Sequence, residues 1–563
     1  MASQGRPDPI GTSSVTATEL LPWWKTAVVY QVYIRSFADS DGDGLGDIGG
    51  LCARLPYLAD LGVDALWVNP WYPSPMADAG YDVADYRDID PVFGTMSQAE
   101  QLIEAAHSAG LRVLLDIVPN HTSAEHRWFK AALAGDVAAR ERYIFRPGKG
   151  VDAAHPPNDW QSNFGGTAWT RTTNHDGSAG DWYLHLFSPS QPDLDWTNPE
   201  VRGEFEDILS FWFDRDVDGF RIDVAHGLSK APGLPDFGAQ PESRSVDEPH
   251  PAWDQDDVHE IYRGWRKVAD SYEPPRIFVA EAWVASNERL AKYLRPDELH
   301  TAFQFDFLRS PWRGGVMRQV IDDAAKAAGE VEASSTWVLS NHDVMRHLTR
   351  YARPQPDDLT DSATFRQLAK LGPTDLALGR QRARAAFLLV AALPGTVYIY
   401  QGEELGLEEV EDIPDELRQD PTWQQSDHTD PGRDGCRVPL PWSGEAPPFG
   451  FSPDGAAAPW LPQPACWAGL TADAQDGIPG SMLTLYREAL RLRRRHLGGV
   501  SPLSWLDAPD DVLAFRRGQV ECWVNTGADA VAMPAGQLLL SSAAGQSDED
   551  TLAPDCSAWV LVS

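Results

Sequence analysis

The chain has 563 residues, which is too long for one ordinary hydrophobic core and predicts a large barrel-type domain with smaller ones. It contains 47 lysines and arginines against 83 aspartates and glutamates, which gives a formal net charge of −36. This excess of negative charge argues against nucleic acid or an anionic membrane as a partner.

The cysteines indicate a reducing compartment. They are odd in number and widely scattered, with no C-x-x-C pair and no spacing typical of zinc. The N-terminus lacks the basic start and apolar run of a signal peptide, and no segment approaches about 18 consecutive apolar residues. We therefore expect a cytoplasmic protein without a leader or a membrane span.

Short β-rich runs alternate with helical stretches along the chain. The eight runs begin at Ala27, Asp64, Leu111, Val217, Arg276, Thr301, Ser335 and Gly395. Strands that alternate with helices eight times predict an α/β fold, specifically a parallel (β/α)₈ TIM barrel.

Two of the intervening helices carry clear end signals. Ser97 and Glu100 have the spacing of a capping box, and Gly110 is placed where that helix would stop. Asn198 and Pro199 predict an N-cap and a first-turn proline for the helix before the fourth strand.

The spacing of the runs also predicts the domains. Residues 121–182, rich in Gly, Pro, Asn and Trp, are predicted to form an inserted loop-rich subdomain after the third strand. Residues 497–563 alternate like antiparallel strands, so we expect a C-terminal β-domain. The barrel would then take residues 21–120 and 183–496, and residues 1–20 are expected to be disordered.

The fourth run, "GFRIDVAHG", places Arg221 and Asp223 in an otherwise apolar segment. A buried charge without a partner costs several kcal/mol, so these residues either pair with each other or belong to a polar site. In a barrel of this type the site lies where the strands end. The other polar residues near strand ends are Asp116, Asn120, His121, Glu281, His342 and Asp343.

Carboxylates, an arginine and histidines at one barrel mouth are suited to cleaving a glycosidic bond. A retaining glycosidase needs a nucleophilic carboxylate and a carboxylic acid about 5 Å away. Asp223 and Glu281 end adjacent strands of the predicted barrel, which is compatible with this spacing. Arg221 would keep the nucleophile ionised by opposing its protonation.

The segments "DIVPNHTS", "QPDLDW", "GFRIDVAHG", "EAW", "SNHD" and "YQGEELG" occur in this order along most of the barrel. The chain thereby resembles glycoside hydrolase family 13, the α-amylase family, and within it the bacterial α-glucosidase and oligo-1,6-glucosidase branch. The resemblance implies that Asp223 is the nucleophile, that Glu281 is the general acid and then base, and that Asp343 grips and distorts the sugar.

The resemblance also implies the residues that bind the sugar. His121 and His342 would donate hydrogen bonds to it, and Arg221 would bridge to the nucleophile. Asp82 would close the pocket against the non-reducing glucose, Tyr81 would stack beneath that glucose, and Arg437 would help to close the pocket.

The segment "DSDGDGLGD" has the spacing of a calcium loop. Asp39, Asp41, Asp43, the Leu45 carbonyl and Asp47 fall at positions 1, 3, 5, 7 and 9, with Gly50 where a bidentate glutamate would stand. An ordinary acidic turn is the alternative. Relatives in the glucosidase branch bind calcium or magnesium in such a loop, so we expect a structural Ca²⁺ site, with Mg²⁺ as the other ion, and no organic cofactor.

These features predict a retaining exo-α-glucosidase that acts on short oligosaccharides such as maltose, as a monomer or homodimer. An oligo-1,6-glucosidase, a transglucosylase or sucrose isomerase, and a non-catalytic relative remain as alternatives. Val224 after the nucleophile is typical of the 1,6-cleaving enzymes, whereas "DVAHG" resembles actinobacterial α-glucosidases that act on maltose. One such side chain is worth only about 1 to 3 kcal/mol and does not decide the linkage by itself.

Overall fold

The computed structural model describes residues 22–174, 176–238, 250–356, 372–499, 501–543 and 550–562. The predicted disordered segment 1–20 lies outside these residues. In the part of the chain described, no helix is both long and apolar enough to cross a membrane.

The predicted (β/α)₈ barrel is confirmed. Eight parallel strands follow one another in a single sheet, and a parallel bridge between Phe303 and Thr336 joins its two outer strands. In chain order they are β1 Val28–Val32, β2 Ala65–Val68, β3 Arg112–Ile117, β4 Gly219–Ile222, β5 Ile277–Ala280, β6 Thr301–Ala302, β7 Thr336–Val338 and β8 Thr396–Tyr400.

The barrel strands are almost wholly buried because helices cover the outer face of the sheet. The helices that pack around or extend the barrel span Ile48–Leu61, Met96–Ser108, Pro199–Phe213, Val258–Asp270, Asn287–Lys292, Phe305–Arg309, Gly314–Glu330, His347–Tyr351, Leu376–Ala392 and Met482–Leu492, the last followed by a π-turn at Arg493–Leu497.

One of the predicted helix caps is correct and one is displaced. Asn198 caps the helix Pro199–Phe213 by accepting from the Glu200 N–H. The second helix begins at Met96, and the cap is Thr95, whose side chain accepts from the Gln98 N–H. The capping pair therefore lies two residues before Ser97 and Glu100, because Thr95 is the last residue with extended backbone.

Between β3 and β4 the chain forms a small antiparallel sheet of its own. Its strands span Phe145–Arg146, Trp169–Thr173 and Ala179–Leu184, with helices at Arg127–Leu133 and Val137–Arg140 before them. This insert lies at the carboxyl end of β3, so it forms one wall of the barrel mouth.

A second antiparallel sheet follows the barrel. Its strands are Ser504–Trp505, Val512–Arg517, Val520–Asn525, Gln537–Ser541 and Cys556–Leu561, and the strands Val531–Ala532 and Thr551–Leu552 pair separately. Trp559 is fully buried and donates from Nε1 to the Leu388 carbonyl at 3.1 Å, which fixes this sheet to the helix Leu376–Ala392.

Candidate active site

Arg221 on β4 is the centre of the charged cluster. The register of β3 and β4 places it directly beside Asp116. Its Nη1 lies 2.8 Å from Asp116 and 2.7 Å from Asp223, and its Nη2 lies 2.6 Å from Glu281. The Arg221 side chain is 1% exposed. Because it contacts three carboxylates, the alternative that Arg221 and Asp223 pair only with each other is wrong. One buried cation holds three carboxylates together.

Glu281 follows β5 and is held by three donors. Oε2 accepts from Arg221 Nη2 and from the Val224 N–H at 3.0 Å, and Oε1 accepts from Trp283 Nε1 at 3.0 Å. Val224 reaches this position with φ of +46°, an uncommon conformation for a β-branched residue. Asp223 and Glu281 bond to the two Nη atoms of one guanidinium, which makes them close neighbours.

The expectation that Arg221 keeps Asp223 ionised holds only in part. Burial raises the pKa of Asp223 well above its usual range, while Arg221 lowers it and the carboxylates of Glu281 and Asp116 raise it again. Burial likewise raises the pKa of Asp116 to about 6 against the opposing effect of Arg221. Because one guanidinium faces three carboxylates, the cluster of Arg221, Asp116, Asp223 and Glu281 favours binding an additional proton.

His342 and Asp343 follow β7. The Gln31 amide, which also donates to Asn69, lies 2.7 Å from His342 Nδ1, and this contact makes Nδ1 the acceptor and leaves the proton on Nε2. Burial lowers the pKa of His342 well below its usual range, so the ring is neutral. Nε2 lies 3.2 Å from an Asp343 oxygen without forming an aligned hydrogen bond, so its N–H is available to a ligand.

Two arginines reach Asp343 from the segment after β8. Arg437 donates to the His342 carbonyl at 2.8 Å and lies 3.1 Å from Asp343. Arg433 lies 3.0 Å from the same Asp343 oxygen and 2.7 Å from Asp78, and it also pairs with Asp420. Burial by itself would raise the pKa of Asp343, but the positive charges of Arg433 and Arg437 outweigh it and hold that pKa below its usual range.

Asp82 does not occupy the place predicted for it. It is fully buried, and its oxygens accept from Ser74 Oγ at 2.9 Å, the Ala77 N–H at 3.0 Å and the Asp78 N–H at 3.0 Å. It therefore holds its own loop together. Ala79 and Gly80 have positive φ, and Asp78 on the other side of this turn faces Arg433.

Tyr81 and His121 lie beside the carboxylates. The Tyr81 ring stacks on His342 at 5.2 Å between centroids, and its hydroxyl donates to Asp116 at 2.9 Å. His121 is 1% exposed, and its Nε2 lies 3.2 Å from the Tyr81 carbonyl and 3.0 Å from the Gln191 amide. Burial lowers the pKa of His121 to about 4, so this ring is neutral as well.

The acidic loop lies apart from this cluster, just before the first barrel helix. Asp39, Asp41 and Asp43 each offer one oxygen within 4.8 Å of the others. Asp47 is differently engaged, since it caps the helix Ile48–Leu61 by accepting from the Gly50 N–H at 2.6 Å and it also accepts from Ser40. Leu45 donates its N–H to Asp43 at 2.8 Å.

Three residues of the site were not among the predicted ones. Arg433 precedes Arg437 by four residues, and this spacing of two arginines in a loop was the available signal. No local sequence pattern identifies Asp78, because its partner Arg433 is 355 residues away in the sequence. Trp283 follows Glu281 by two residues and was visible only as part of "EAW".

Comparisons with known proteins agree with this geometry. Residues 31–498 match the model of the alpha amylase catalytic domain. An oligo-1,6-glucosidase of Parageobacillus thermoglucosidasius is 35% identical over 84% of each chain. A probable alpha-glucosidase of Rhizobium meliloti (strain 1021) is 36% identical over 92% of this chain and 93% of its own.

Solved structures share the fold of this chain. An alpha-glucosyl transfer enzyme superposes with a TM-score of 0.80 at 32% identity, and the match covers 96% of this chain and 100% of that one. A trehalulose synthase of Pseudomonas mesoacidophila MX-45 gives a TM-score of 0.82 at 29% identity, with the same coverage.

Proposed function

The chain belongs to the alpha amylase catalytic-domain family, and from this membership and the charged cluster we propose that it is a retaining α-glucosidase. It releases terminal α-linked glucose from short oligosaccharides such as maltose. The observation that carries the proposal is the single guanidinium of Arg221, which hydrogen-bonds both Asp223 and Glu281. Retaining enzymes need two carboxyl groups this close together.

The reaction takes two displacements at one carbon. An Asp223 oxygen attacks the anomeric carbon while Glu281 gives its proton to the departing glycosidic oxygen. Glu281 then takes a proton from water, and the water oxygen attacks the same carbon and frees Asp223. Two inversions return the α configuration.

The far end of the pocket supports exo action. Asp343, His342 and His121 present polar atoms where the glucose ring would sit, and Tyr81 lies beneath, stacked on His342. Arg433 joins Asp78 to Asp343 behind them. A chain of sugars has no path through this ion pair, so only a terminal glucose fits.

For the linkage we propose a preference for α-1,4 disaccharides with some α-1,6 activity retained. The test is kcat/KM on maltose, isomaltose and sucrose, with product analysis in the presence and absence of an added sugar acceptor. Glucose from maltose supports hydrolysis. An isomaltose value more than about tenfold above the maltose value would favour the oligo-1,6-glucosidase alternative.

The transferase alternative shares the glucosyl-enzyme intermediate and differs in what attacks it. The similarity to a transfer enzyme and to a trehalulose synthase keeps it as the second candidate. Rearranged disaccharides from sucrose, or glucosylated acceptor in place of free glucose, would identify a transferase. The non-catalytic alternative predicts no turnover of any of these substrates.

We further propose that the acidic loop binds a structural Ca²⁺, with Mg²⁺ as the alternative ion. Burial raises the pKa of Asp43, and the charges of Asp41, Asp39 and Asp47 act in the same direction, so the loop gains from a cation. Asp39, Asp41 and Asp43 would hold the ion through carboxylate oxygens. The Leu45 carbonyl and Asp47 would be its remaining ligands. When bound, it supplies charge neutralisation to the loop and no chemistry to the sugar.

A cytoplasmic location and a monomer or homodimer complete the proposal. All five cysteines are free in the structure, which fits a reducing compartment: they are Cys52, Cys436, Cys466, Cys522 and Cys556. Size-exclusion chromatography with light scattering distinguishes the monomer from the homodimer.

A further inference from the structure

Trp283 lies in the loop after β5, two residues beyond the proposed general acid Glu281. Its indole Nε1 donates to Glu281 Oε1 at 3.0 Å, and among the described residues this oxygen has no second donor. The other oxygen, Oε2, accepts from the Arg221 guanidinium at 2.6 Å and from the Val224 N–H at 3.0 Å. The two oxygens of this carboxyl group therefore have different surroundings.

This difference decides which oxygen of Glu281 carries the proton of the general acid. Hydrogen bonds from a cation and from a backbone N–H favour an oxygen without a proton, and Oε2 accepts both. Oε1 meets a single neutral donor. The Glu281 side chain is 12% exposed, whereas that of Arg221 is 1% exposed. Since Oε2 faces the buried guanidinium, Oε1 is the oxygen on the open side of the site and the one that holds the proton.

The indole of Trp283 is fixed by a ring from the following strand. It stacks on Phe305, with ring centroids 3.9 Å apart and an interplanar angle of 8°. Phe305 is 5% exposed and begins the helix Phe305–Arg309 shortly after β6. It also contacts Phe303 of the barrel core, with centroids 5.8 Å apart. Two parallel rings in contact set the plane of the indole, and with it the direction of the N–H.

A donor aimed at Oε1 acts during the first displacement. The O–H bond of Glu281 breaks and its proton passes to the glycosidic oxygen, while the bond from that oxygen to the anomeric carbon breaks and an Asp223 oxygen bonds to the carbon. Oε1 gains negative charge in this step. A hydrogen bond to a charged acceptor is about twice as strong as one to a neutral acceptor, so the contact from Trp283 strengthens as the proton leaves.

We propose that Trp283 is a positioning residue for the general acid. Its N–H directs Oε1 of Glu281 toward the leaving oxygen and stabilises the charge that Oε1 gains. This inference rests on the proposed function, because it assigns a role within the first displacement. The role concerns the supply of a proton and not the recognition of the second sugar. A leaving group that departs as a stable anion needs the proton less and should therefore depend less on Trp283.

Two aryl substrates isolate this role. Phenyl and p-nitrophenyl α-glucosides share the sugar and the aromatic ring, but phenolate is the more basic leaving anion. We compare kcat/KM on both, and on maltose, for the wild type and for Trp283→Phe, which keeps a ring against Phe305 and removes the N–H. The expected loss on maltose and on the phenyl glucoside is about ten- to a hundredfold, the effect of one hydrogen bond to a charged group. The loss on the p-nitrophenyl glucoside should stay below about threefold.

Trp283→His tests the donor itself. Nε2 of histidine has the same place in its five-membered ring as Nε1 of the indole, so this variant restores an N–H without the second ring. At about pH 8, where an ordinary histidine is neutral, it should recover part of the activity on the phenyl glucoside.

The matched control is Trp523→Phe in the C-terminal sheet. Trp523 also donates Nε1 to a glutamate two residues before it, Glu521, at 3.1 Å, and that glutamate pairs with Arg516. This substitution should leave all three substrates unchanged.

Three outcomes with Trp283→Phe would overturn the proposal. Equal losses on the two aryl glucosides would show a general disturbance of the site. A loss on maltose alone would show that Trp283 recognises the second sugar. No loss on any substrate would show that the hydrogen bond has no role. A wild type that releases glucose from none of the three substrates would instead refute the proposed function.

If Trp283→Phe does not fold, Phe305→Leu takes its place. This variant leaves the indole N–H and removes the ring that fixes its direction. The expected result is the same order of losses, with the phenyl glucoside affected more than the p-nitrophenyl glucoside. Equal losses on the two substrates, or no loss on either, would overturn the proposal.

Discussion

Arg433 lies 2.7 Å from Asp78, and this ion pair joins the loop after β2 to the segment after β8. The same guanidinium also reaches Asp343 and Asp420, so one cation neutralises three carboxylates from three parts of the chain. The pair marks the end of the pocket, and exo action depends on it.

Removal of Arg433 should therefore damage catalysis. Arg433→Gln leaves Asp78, Asp343 and Asp420 near one another without their shared cation, and breaking a buried ion pair costs about 3 to 5 kcal/mol. We expect kcat/KM on maltose to fall by about a hundredfold, because Asp343 loses a cation that positions it in the site. Arg433→Lys should not restore it, since one ammonium lacks the fork that serves several carboxylates.

Steady-state kinetics with a parallel melting curve is the measurement. The control is Arg127→Gln, which removes a surface arginine whose side chain is 69% exposed. Activity of Arg433→Gln within about threefold of the wild type would contradict the role given to the ion pair, since that loss corresponds to less than about 1 kcal/mol.

Glu403 after β8 should make the stability of the fold depend on pH. It is 4% exposed, its Oε1 has no hydrogen-bond partner among the described residues, and burial raises its pKa to about 8 from a usual value of 4.5. The neutral form is favoured in the folded state. The contribution of this group is therefore fully present below pH 4.5 and is lost as the pH rises through about 8.

Glu403→Gln keeps the neutral form at every pH and should flatten this dependence. The slope that a single carboxyl contributes is at most about 1.4 kcal/mol per pH unit. Urea unfolding at several pH values between 5 and 8 measures it, with surface Glu330→Gln as the control. A slope equal to that of the wild type would show that Glu403 is ionised in the folded protein.

The acidic loop gives a prediction that does not involve catalysis. Calcium at about a hundred times its Kd should stabilise the fold by about 2.7 kcal/mol, and chelation should remove this gain. Asp41→Asn should lose the response to calcium, whereas Asp207→Asn, on an exposed helix face, should keep it. Melting curves that are identical with calcium and with chelator would leave only the acidic-turn interpretation.

Much of the fold was predictable because its signals are local or periodic. The eight strands are short, apolar and bounded by helical stretches, and all eight were found at the predicted places. Arg221 and Asp223 were identifiable because two charges in a buried strand are rare. The exact helix cap was not identifiable, because Thr95 and Ser97 are both residues that cap helices and the backbone of the preceding loop decides between them.

The parts of the site that escaped prediction depend on long-range contacts. The segment "ADAGYD" contains two aspartates, and the turn at Ala79 and Gly80 decides which of them faces the pocket. Because these two residues have positive φ, the Asp82 side chain points back to the backbone of its own loop. The partners of Arg433 lie at positions 78, 343 and 420, and no local pattern joins them. The protonation of Asp223 also depends on burial, which the sequence does not state.

The central claim is that Asp223 forms a covalent bond to glucose with Glu281 as its proton donor. Asp223→Asn and Glu281→Gln should each lose at least about a thousandfold in rate while remaining folded. The most direct measurement is mass spectrometry of the enzyme after reaction with a fluorinated glucosyl fluoride, which slows the second step, followed by peptide mapping. The account predicts one added fluoroglucosyl group on the peptide that contains Asp223, and α-glucose as the first glucose released from p-nitrophenyl α-glucoside by NMR. A label on any other residue, or β-glucose as the first product, would contradict it.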